Sequence, residues 1–271
     1  MDMNFGLRGK SFLVLGGGQG MGEATIRMLT SLGAKVAVAD REIDRARRVA
    51  DAVTSHGGTA IPVEVDVLDD DALVRAIGSV EDQLGPLDGM ATIVGMATWR
   101  SLIDMDVKTW DLDQSRNIRY FFIAAREVAR GLLARGAPGS IVCTTSVDGL
   151  LSAPNHAGYG AAKAGLINLV KTMANEWSPH GIRVNAVAPG PIVTPRIPHA
   201  GDEAEARSMA NIPMRRRGTV DDIAKAITFF LSDMSPYVTG QTLAVDGGFL
   251  TTYPVNIDNR AIAADGVMGG G

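Results

Sequence analysis

The sequence contains one cysteine and four histidines among its 271 residues. A single cysteine, Cys143, excludes an intramolecular disulfide. The histidines, at positions 56, 156, 180 and 199, are too scattered for the spacing of a metal site. No run of about 18 uninterrupted apolar residues occurs, and the start, MDMNFGLRGK, lacks the basic and apolar segments of a secretion signal. We therefore expect no structural metal, no membrane partner and a cytoplasmic location.

An excess of positive charge is also missing, since 26 Lys and Arg stand against 30 Asp and Glu. Nucleic-acid binders usually carry concentrated positive surface, so no nucleic-acid partner is expected. What is present is 46% hydrophobic residues, enough to bury the core of one α/β domain. We predict that domain over residues 1–249. The tail, residues 250–271, lacks periodicity and ends in glycines, and we expect it to be either disordered or part of an interface.

Short apolar or β-branched runs alternate with longer amphipathic stretches from Ser11 to about Val245. This alternation predicts βαβ units and a parallel sheet. Runs such as SFLVL suit strands that are buried on both faces. The fold class is therefore α/β, a single-domain Rossmann-type doubly wound sheet flanked by helices. The seven predicted strands are residues 11–15, 35–39, 60–65, 89–93, 140–144, 182–187 and 241–245.

Two longer stretches carry further expectations. A single long helix is predicted from about residue 106 to 135. The segment 189–213 contains five prolines and few helix signals, so it is predicted to be a long loop or lid, a type that is often functional. In the next helix after residue 150, Leu166, Val170 and Met173 recur at helical spacing and are predicted to pack against the sheet.

A glycine-rich turn follows the first predicted strand, as Gly16-Gly17-Gly18-Gln19-Gly20-Met21-Gly22. Glycines at a helix N-terminus let the backbone approach a phosphate. The spacing G-x-x-x-G-x-G differs from the commonest dinucleotide fingerprint, but the order strand, turn, helix and strand favours a cofactor site. The second strand ends at Asp40, where an acidic side chain would meet a ribose. A plain tight turn beside a surface aspartate is the alternative.

Tyr159 and Lys163 are four residues apart on a predicted helix, so that the phenol and the ammonium share one face. Tyrosine titrates near pH 10 in water, and a neighbouring ammonium lowers that pKa. The pair therefore predicts a proton-transfer site, with Lys163 as the activating group. Such a pair also occurs by chance on many surface helices.

With these motifs the sequence resembles the short-chain dehydrogenase/reductase family over roughly residues 7–249. The glycine turn matches the family's T-G-x-x-x-G-x-G, with Leu15 in place of the threonine. The family's catalytic serine lies thirteen residues before the tyrosine, where this chain has Ser146. Its active-site asparagine matches Asn117, and its Pro-Gly turn matches residues 189–194. The strand TGQTLAVDGG is also similar to the family's.

The resemblance implies a catalytic set of Asn117, Ser146, Tyr159 and Lys163. Ser146 would hydrogen-bond the substrate oxygen while Tyr159 gives or takes its proton, and hydride passes to or from the nicotinamide. Lys163 would also hold the nicotinamide ribose. Asn117 would retain a water that links the lysine to solvent.

The resemblance also implies cofactor contacts beyond the glycine turn. Asp66 and Val67 would meet the adenine, and Ile192 and Thr194 the carboxamide. The full implied set is Gly16, Gln19, Gly20, Met21, Gly22, Asp40, Arg41, Asp66, Val67, Gly95, Tyr159, Lys163, Pro189, Gly190, Ile192 and Thr194.

One motif departs from the family. Where Asn-Asn-Ala-Gly usually follows the fourth strand, this chain has Thr92-Ile93-Val94-Gly95. The first of those asparagines steadies the central sheet, and Thr92 can replace only part of its contacts. We expect the fold to survive, because one hydrogen bond contributes only about 0.5 to 1.5 kcal/mol. Activity is expected to be retained.

The residue at the end of the second strand predicts the cofactor. Asp40 favours NAD, because a carboxylate accepts hydrogen bonds from ribose hydroxyls and repels a 2′-phosphate. Arg41 is the counter-indication, but strand alternation is expected to point it away. The expected function is NAD-dependent interconversion of a secondary alcohol and a ketone. An NADPH-dependent reductase of 3-oxoacyl thioesters and a dinucleotide-binding protein without turnover are the alternatives.

Substrate contacts are expected after strand ends and on the proline-rich segment. Asp148 and His156 either bind a second hydroxyl or are solvated loop residues. The expected residues are Met96, Trp99, Asp148, His156 and Ile197, with His199, Met209 and Met214 beside them. This mixture of apolar and polar side chains favours an apolar, aromatic, cyclic or steroid-like secondary alcohol as the substrate.

The family resemblance also implies a homotetramer. The tail, through Phe249, Tyr253 and Ile257, is hypothesised to cover a substrate pocket.

Overall fold

The computed structural model describes residues 5–199, 201–210 and 212–251. Within them, one parallel sheet has the strand order β3-β2-β1-β4-β5-β6-β7. The strands are β1 (Ser11–Leu15), β2 (Lys35–Asp40), β3 (Thr59–Glu64), β4 (Gly89–Thr92), β5 (Gly139–Thr144), β6 (Ile182–Pro189) and β7 (Thr242–Val245). All seven predicted strands are present, each within two residues of its predicted bounds.

Helices cover both faces of this sheet, as β1 illustrates. Its residues Leu13 and Leu15 pack into one core with three helices, and Phe12 and Val14 pack into a second core with three others. Successive strand side chains point to opposite faces, so a strand covered on both sides needs apolar residues throughout. The prediction of a single-domain, doubly wound sheet is confirmed.

The α-helices are α1 (Gly20–Ser31), α2 (Ile43–Ser55), α3 (Asp70–Leu84), α4 (Val107–Gln114), α5 (Tyr120–Arg135), α6 (Ala157–Trp177), α7 (Asp202–Ser208) and α8 (Val220–Leu231).

The centre of the sheet is β1, which pairs with β2 on one side and β4 on the other. Its last residue, Leu15, lies opposite Ala39 of β2 and Thr92 of β4. The chain connections leave in opposite directions at this point. In open α/β sheets such a switch point forms a crevice at the carboxyl ends of the strands, where ligands bind. The glycine turn and Gly95 both follow strands that end at this crevice.

The predicted single helix over about 106–135 is wrong in detail. A π-helical turn, Ser115–Arg119, separates α4 from α5 and carries Asn117 at its middle. A π turn widens the helix by one residue per turn and is common at functional sites, but apolar periodicity does not reveal it. Tyr120 and Phe121 are buried, whereas Phe122 is partly exposed.

The proline-rich segment is not entirely irregular, because it contains α7. The prediction of a long loop is therefore wrong for these seven residues. Asp202, Glu203 and Glu205 lie in the first turn of α7, where acidic side chains stabilise the helix dipole. The prolines at 195, 198 and 213 lie outside the helix.

Two findings concern the part of the chain that the structure describes. No helix there has the length and hydropathy to cross a bilayer. In the same residues no group of three or more His, Cys, Asp or Glu side chains is placed to bind a metal ion. Residues 252–271 fall outside the described residues, so the expectations for the tail, including Tyr253 and Ile257, lie outside them too.

Candidate active site

The glycine turn is shaped by close backbone approaches. Gly16 and Gly20 have φ values of +82° and +59°, a region that side chains rarely adopt. The N–H groups of Gly16 and Gly17 donate to the carbonyl of Ala39, at 2.8 and 3.0 Å. A Cβ at Gly22 would lie 2.0 Å from the carbonyl oxygen of Gly16. The turn leads into the N-terminus of α1, the kind of helix end at which a pyrophosphate binds. The residues therefore fit a dinucleotide, with Gln19 and Met21 flanking Gly20.

Asp40 fixes this turn to the end of β2. Its Oδ2 accepts a hydrogen bond from Gly18 N at 3.0 Å, and its Oδ1 accepts from Glu42 N at 3.1 Å. Arg41 is largely exposed, and its Nε lies 3.7 Å from the Glu42 carboxylate. Asp40 thus faces the turn and Arg41 faces solvent, which is the orientation that strand alternation predicts.

Arg48 is a residue at this turn that sequence analysis did not identify. Its Nη2 donates to the carbonyl of Gly18 at 2.9 Å and to Glu23 Oε2 at 2.7 Å. The guanidinium holds the pKa of the Glu23 carboxyl below its usual value, mainly through this hydrogen bond. The charge of Arg48 is therefore matched within the protein. No motif spacing links residue 48 to the turn, because the contact depends on how α2 packs.

Lys163, Tyr159 and Ser146 come together at the carboxyl end of β5. The Lys163 side chain is buried, with 2% exposure, and its Nζ donates to the carbonyl of Thr144 at 2.9 Å. The same Nζ lies 5.5 Å from the centre of the Tyr159 ring. Ser146 follows Thr145, whose hydroxyl donates to the carbonyl of Lys163 at 2.8 Å, and the Ser146 hydroxyl acts to lower the pKa of the Tyr159 phenol. A phenol, an alcohol and an ammonium therefore share one small volume.

The environment of Tyr159 differs from the expected one. Burial raises the pKa of its phenol to about 12, although a hydrogen bond with Ser146 opposes the shift. The negative charge of Asp148 raises it further. In the protein without a bound cofactor, desolvation of the phenolate dominates, so the activating role of Lys163 stays a prediction. Tyr159 is therefore a neutral acid that can donate a proton to a carbonyl oxygen.

The Lys163 ammonium has the opposite shift. Burial lowers its pKa from 10.5 to about 8, partly opposed by Cys143. A buried ammonium loses hydration that one carbonyl does not replace. Since an ammonium has three donors and Thr144 accepts one, two N–H groups remain for a ligand.

Asn117 holds the segment after β4. Its Oδ1 accepts from Met96 N at 3.1 Å, while its Nδ2 donates to the carbonyls of Met96 and Asp113, both at 2.9 Å. A Cβ at Gly95 would lie 3.0 Å from both Asn117 Oδ1 and Lys163 Nζ. Gly95 is therefore the position at which the asparagine, the lysine and the crevice meet. Both protons of the Asn117 side-chain amide already form hydrogen bonds, so a water held by Asn117 would donate to one of the oxygens of Asn117.

The altered motif after β4 is supported by its neighbours. Tyr120 Oη donates to the carbonyl of Val94 at 2.8 Å, and Thr144 Oγ1 donates to the carbonyl of Thr92 at 2.9 Å. Thr92 Oγ1 is buried and makes no hydrogen bond with the described residues. Side-chain hydrogen bonds to this segment therefore come from Tyr120 and Thr144 and not from the Thr92 hydroxyl.

A buried ion pair lies beneath the site and was missed by sequence analysis. Asp113 is fully buried, and its Oδ1 accepts from Arg116 Nη2 at 2.6 Å and from Thr98 Oγ1 at 3.1 Å. A Cβ at Gly158 would lie 2.7 Å from Asp113 Oδ2. The pair therefore joins the loop after β4 to the start of α6, one residue before Tyr159. The i, i+3 spacing of Asp113 and Arg116 was the available signal.

The expected substrate residues divide into two groups. Asp148 Oδ2 lies 2.6 Å from His156 Nδ1, and both side chains are largely buried, so the interpretation as solvated residues is wrong. Trp99 packs edge-on against His156 with ring centres 3.9 Å apart, and His156 is 5.8 Å from the Tyr159 ring. Met209 is buried. The exposed group is Met96, Trp99, Ile197, His199 and Met214.

The remaining implied cofactor residues follow β3 and β6. Asp66 Oδ1 accepts from Leu68 N at 2.9 Å just after β3, beside Val67. Ile192 is buried, so it can offer a ligand little but its backbone. Thr194 pairs with Ile197 through two main-chain hydrogen bonds of 3.2 and 3.0 Å. β6 ends at Pro189, and a Cβ at Gly190 would lie 2.7 Å from Asp246.

Known proteins resemble this chain in sequence and in fold. A family described as enoyl-(acyl carrier protein) reductase matches residues 16–250. The 2-(S)-hydroxypropyl-CoM dehydrogenase 3 of Xanthobacter autotrophicus is 36% identical over 89% of this chain and 97% of its own. The L-xylulose reductase of Homo sapiens is 36% identical over 91% of this chain and 99% of its own. A structure of a Serratia marcescens short-chain dehydrogenase/reductase superposes with a TM-score of 0.84 at 32% identity, covering 90% of this chain and 98% of that one.

The match extends over nearly the whole described chain, and the relatives are dehydrogenases and reductases of hydroxyl compounds. Enzymes of this kind use a nicotinamide cofactor, NAD or NADP, which the glycine turn fits. The protein is thus an oxidoreductase and belongs to the short-chain dehydrogenase/reductase family.

Proposed function

We propose that this protein interconverts a secondary alcohol and a ketone with NAD, using Tyr159 as the proton-transfer residue. The observation that carries the proposal is the meeting of Ser146, Tyr159 and Lys163 beside Gly95. A neutral phenol next to a second hydroxyl can hydrogen-bond and protonate one substrate oxygen. The names of the relatives, which are alcohol dehydrogenases and ketone reductases, support the same reaction class.

In the proposed mechanism, Ser146 orients the substrate oxygen and Tyr159 donates its proton to that oxygen as the carbonyl is reduced. The nicotinamide, when bound, supplies or accepts the hydride. In the oxidative direction Tyr159 must first be a phenolate in order to accept the proton, and its raised pKa disfavours that form. A positive charge close to the phenol is needed there, and Lys163 is the residue that can provide it.

NAD rather than NADP is supported by charge. Asp40 is fixed beside the glycine turn by two main-chain N–H groups, so its carboxylate cannot swing away easily. A 2′-phosphate there would face a negative charge in a confined space. Arg48, the nearby cation, is already paired with Glu23.

For the substrate we propose a secondary alcohol with an apolar body, because Met96, Trp99, Ile197 and Met214 expose apolar surface after strand ends and on the proline-rich segment. The Asp148–His156 pair offers one polar point near Tyr159. A 3-oxoacyl thioester is the second candidate, since the description of the matching family, enoyl-(acyl carrier protein) reductase, also names an acyl group on a carrier protein.

A paired screen tests the function. Purified protein is mixed with a panel of cyclic, aromatic and aliphatic secondary alcohols, and NAD reduction is followed with NADP in parallel. The reverse reaction is run with ketones and a 3-oxoacyl thioester. Tyr159→Phe serves as the blank for each substrate. If no alcohol reduces NAD, and if only the thioester leads to NADPH oxidation, the 3-oxoacyl thioester would replace the secondary alcohol as the proposed substrate.

We further propose a cytoplasmic homotetramer. Leu102, Ile103 and Val107 are exposed apolar residues at and before the start of α4, and Ile103 is 91% exposed. Contiguous apolar surface of this kind suits an interface between copies. Light scattering at micromolar concentration should give four times the subunit mass, and a mass of 28.5 kDa would refute the assembly.

A further inference from the structure

Arg217 is a buried cation that ties together separate parts of the proline-rich segment. Its Nε donates to Glu205 Oε2 at 2.9 Å, and Nη2 reaches the other oxygen of the same carboxylate. Nη1 donates to the carbonyl of Ile197 at 3.1 Å, and Nη2 donates to that of Pro198 at 2.8 Å. The Arg217 and Glu205 side chains are 7% and 12% exposed. One guanidinium therefore joins α7 to the turn that precedes it.

The same turn contains Thr194. The Ile197 carbonyl that Arg217 contacts also accepts a hydrogen bond from Thr194 N, at 3.2 Å. In return, Ile197 N donates to the carbonyl of Thr194 at 3.0 Å and to its hydroxyl at 3.1 Å. Arg217 and Thr194 are thus linked through the Ile197 carbonyl, which accepts a hydrogen bond from each of them.

The main chain next to Arg217 is also hydrogen-bonded to the proline-rich segment. Its neighbour Gly218 accepts from Val193 N at 2.9 Å and donates to the carbonyl of Pro191 at 3.0 Å. Arg217 therefore projects from a segment that is itself paired with residues 191–193. Its guanidinium reaches over to fix the turn that follows.

The Thr194–Ile197 turn has few other contacts that could hold it in place. Residues 195–199 are exposed, so little apolar packing holds them. A planar guanidinium can bind a carboxylate through two donors and still reach two carbonyls, which an ammonium cannot do in the same geometry. Because the pair is largely removed from water, loss of either partner leaves an unmatched charge.

We propose that Arg217, held by Glu205, is a positioning residue for the Thr194–Ile197 turn and so sets the affinity for the nicotinamide half of the cofactor. Arg217 acts through the Ile197 carbonyl and does not touch the ligand. The inference rests on the proposed function and on the contact between Thr194 and the nicotinamide carboxamide that the family resemblance implies.

Binding of two ligands separates this role from a general structural one. NADH spans both ends of the site, whereas ADP-ribose lacks the nicotinamide and reports only on the end formed by the glycine turn and Asp40. We expect Arg217→Met to weaken NADH binding at least about tenfold while ADP-ribose affinity stays within about twofold, as loss of several charge-assisted hydrogen bonds implies. Arg217→Lys and Glu205→Gln should give intermediate losses. The matched control is Arg216→Met, which removes the neighbouring, more exposed cation paired with Asp222.

Amide hydrogen exchange provides a readout in the protein without ligand. Exchange at Thr194 and Ile197 should accelerate in Arg217→Met and Glu205→Gln but not in Arg216→Met, while β1 stays protected. Equal weakening of NADH and ADP-ribose, or unchanged exchange at Thr194, would overturn the positioning role. A wild-type protein that binds neither ligand would overturn the proposed function and the cofactor part of this inference, and the exchange data would still decide whether Arg217 orders the turn.

Discussion

Asp40 and Gly18 are joined by a hydrogen bond of 3.0 Å from the glycine N–H to the carboxylate. The bond links the end of β2 to the glycine turn, and a Cβ at Gly18 would lie 2.6 Å from the same oxygen. One carboxylate therefore both shapes the turn and offers negative charge at its edge. Its removal should affect how well any dinucleotide binds and, separately, which dinucleotide is preferred.

Asp40→Ala should lower the catalytic efficiency with NAD and raise the relative efficiency with NADP, by about tenfold or more, since hydrogen bonds to a charged group contribute about 1.5 to 3 kcal/mol. The ratio of kcat/KM values with the two cofactors is the measurement. Asp44→Ala removes a highly exposed carboxylate on α2 and is the matched control. A wild-type preference for NADP, or an unchanged ratio in the variant, would contradict the assignment.

Tyr159→Phe should lower turnover at least about a hundredfold, the scale of lost general acid–base catalysis. NADH binding should stay nearly intact, because the ring and its packing against His156 are kept. Steady-state rates and fluorescence titration measure the two effects. Tyr237 is fully exposed, so Tyr237→Phe is the control. A Tyr159→Phe enzyme with more than about a tenth of wild-type turnover would rule out Tyr159 as the acid.

Gly22→Ala should abolish measurable NADH binding and destabilise the fold by about 1 to 3 kcal/mol, because its Cβ would meet the Gly16 carbonyl. Gly78→Ala is the matched control within α3, where a Cβ meets nothing within 4 Å. That control should stabilise by about 0.5 to 1 kcal/mol. Urea unfolding and NADH titration report both quantities. Normal binding by Gly22→Ala would mean that the turn adjusts freely.

Lys163 should titrate near pH 8 in the folded protein, because burial disfavours its charged form. The unfolded chain then holds this proton up to a pKa of 10.5, so stability should rise between pH 8 and 10.5 from this group. Carbon-13 NMR of the lysine Cε resonances measures the midpoint, with Lys163→Met to assign the signal. A midpoint above pH 10 would show that the ammonium is better solvated than its burial implies.

The strands and their order could be predicted from the sequence because they depend on local patterns of apolar residues and glycines. Strands such as SFLVL are apolar on both faces, and glycine punctuation marks their ends. The π turn at Asn117 was not accessible, since no change in apolar periodicity marks it. The short helix α7 was missed because prolines around it dominate the composition.

For the site, residue types and their spacing identified Ser146, Tyr159 and Lys163 as a group. Their electrostatics were not predictable, because the pKa of each depends on how much water the fold removes. Arg48 and Arg217 were missed for a related reason. Each acts through backbone carbonyls that only the folded chain brings near.

The central position of β1 also has a consequence for synthesis. β1 is made first, but its second partner, β4, begins only at Gly89. A nascent chain that ends before β4 leaves unpaired one edge of a strand whose residues 12–15 are apolar, which favours pairing with other chains. Parallel pairs between distant segments also form slowly. Ribosome-bound chains that stop before residue 89 should therefore be chaperone clients, and emergence of β4 from the ribosome is the point after which that protection can begin to be released.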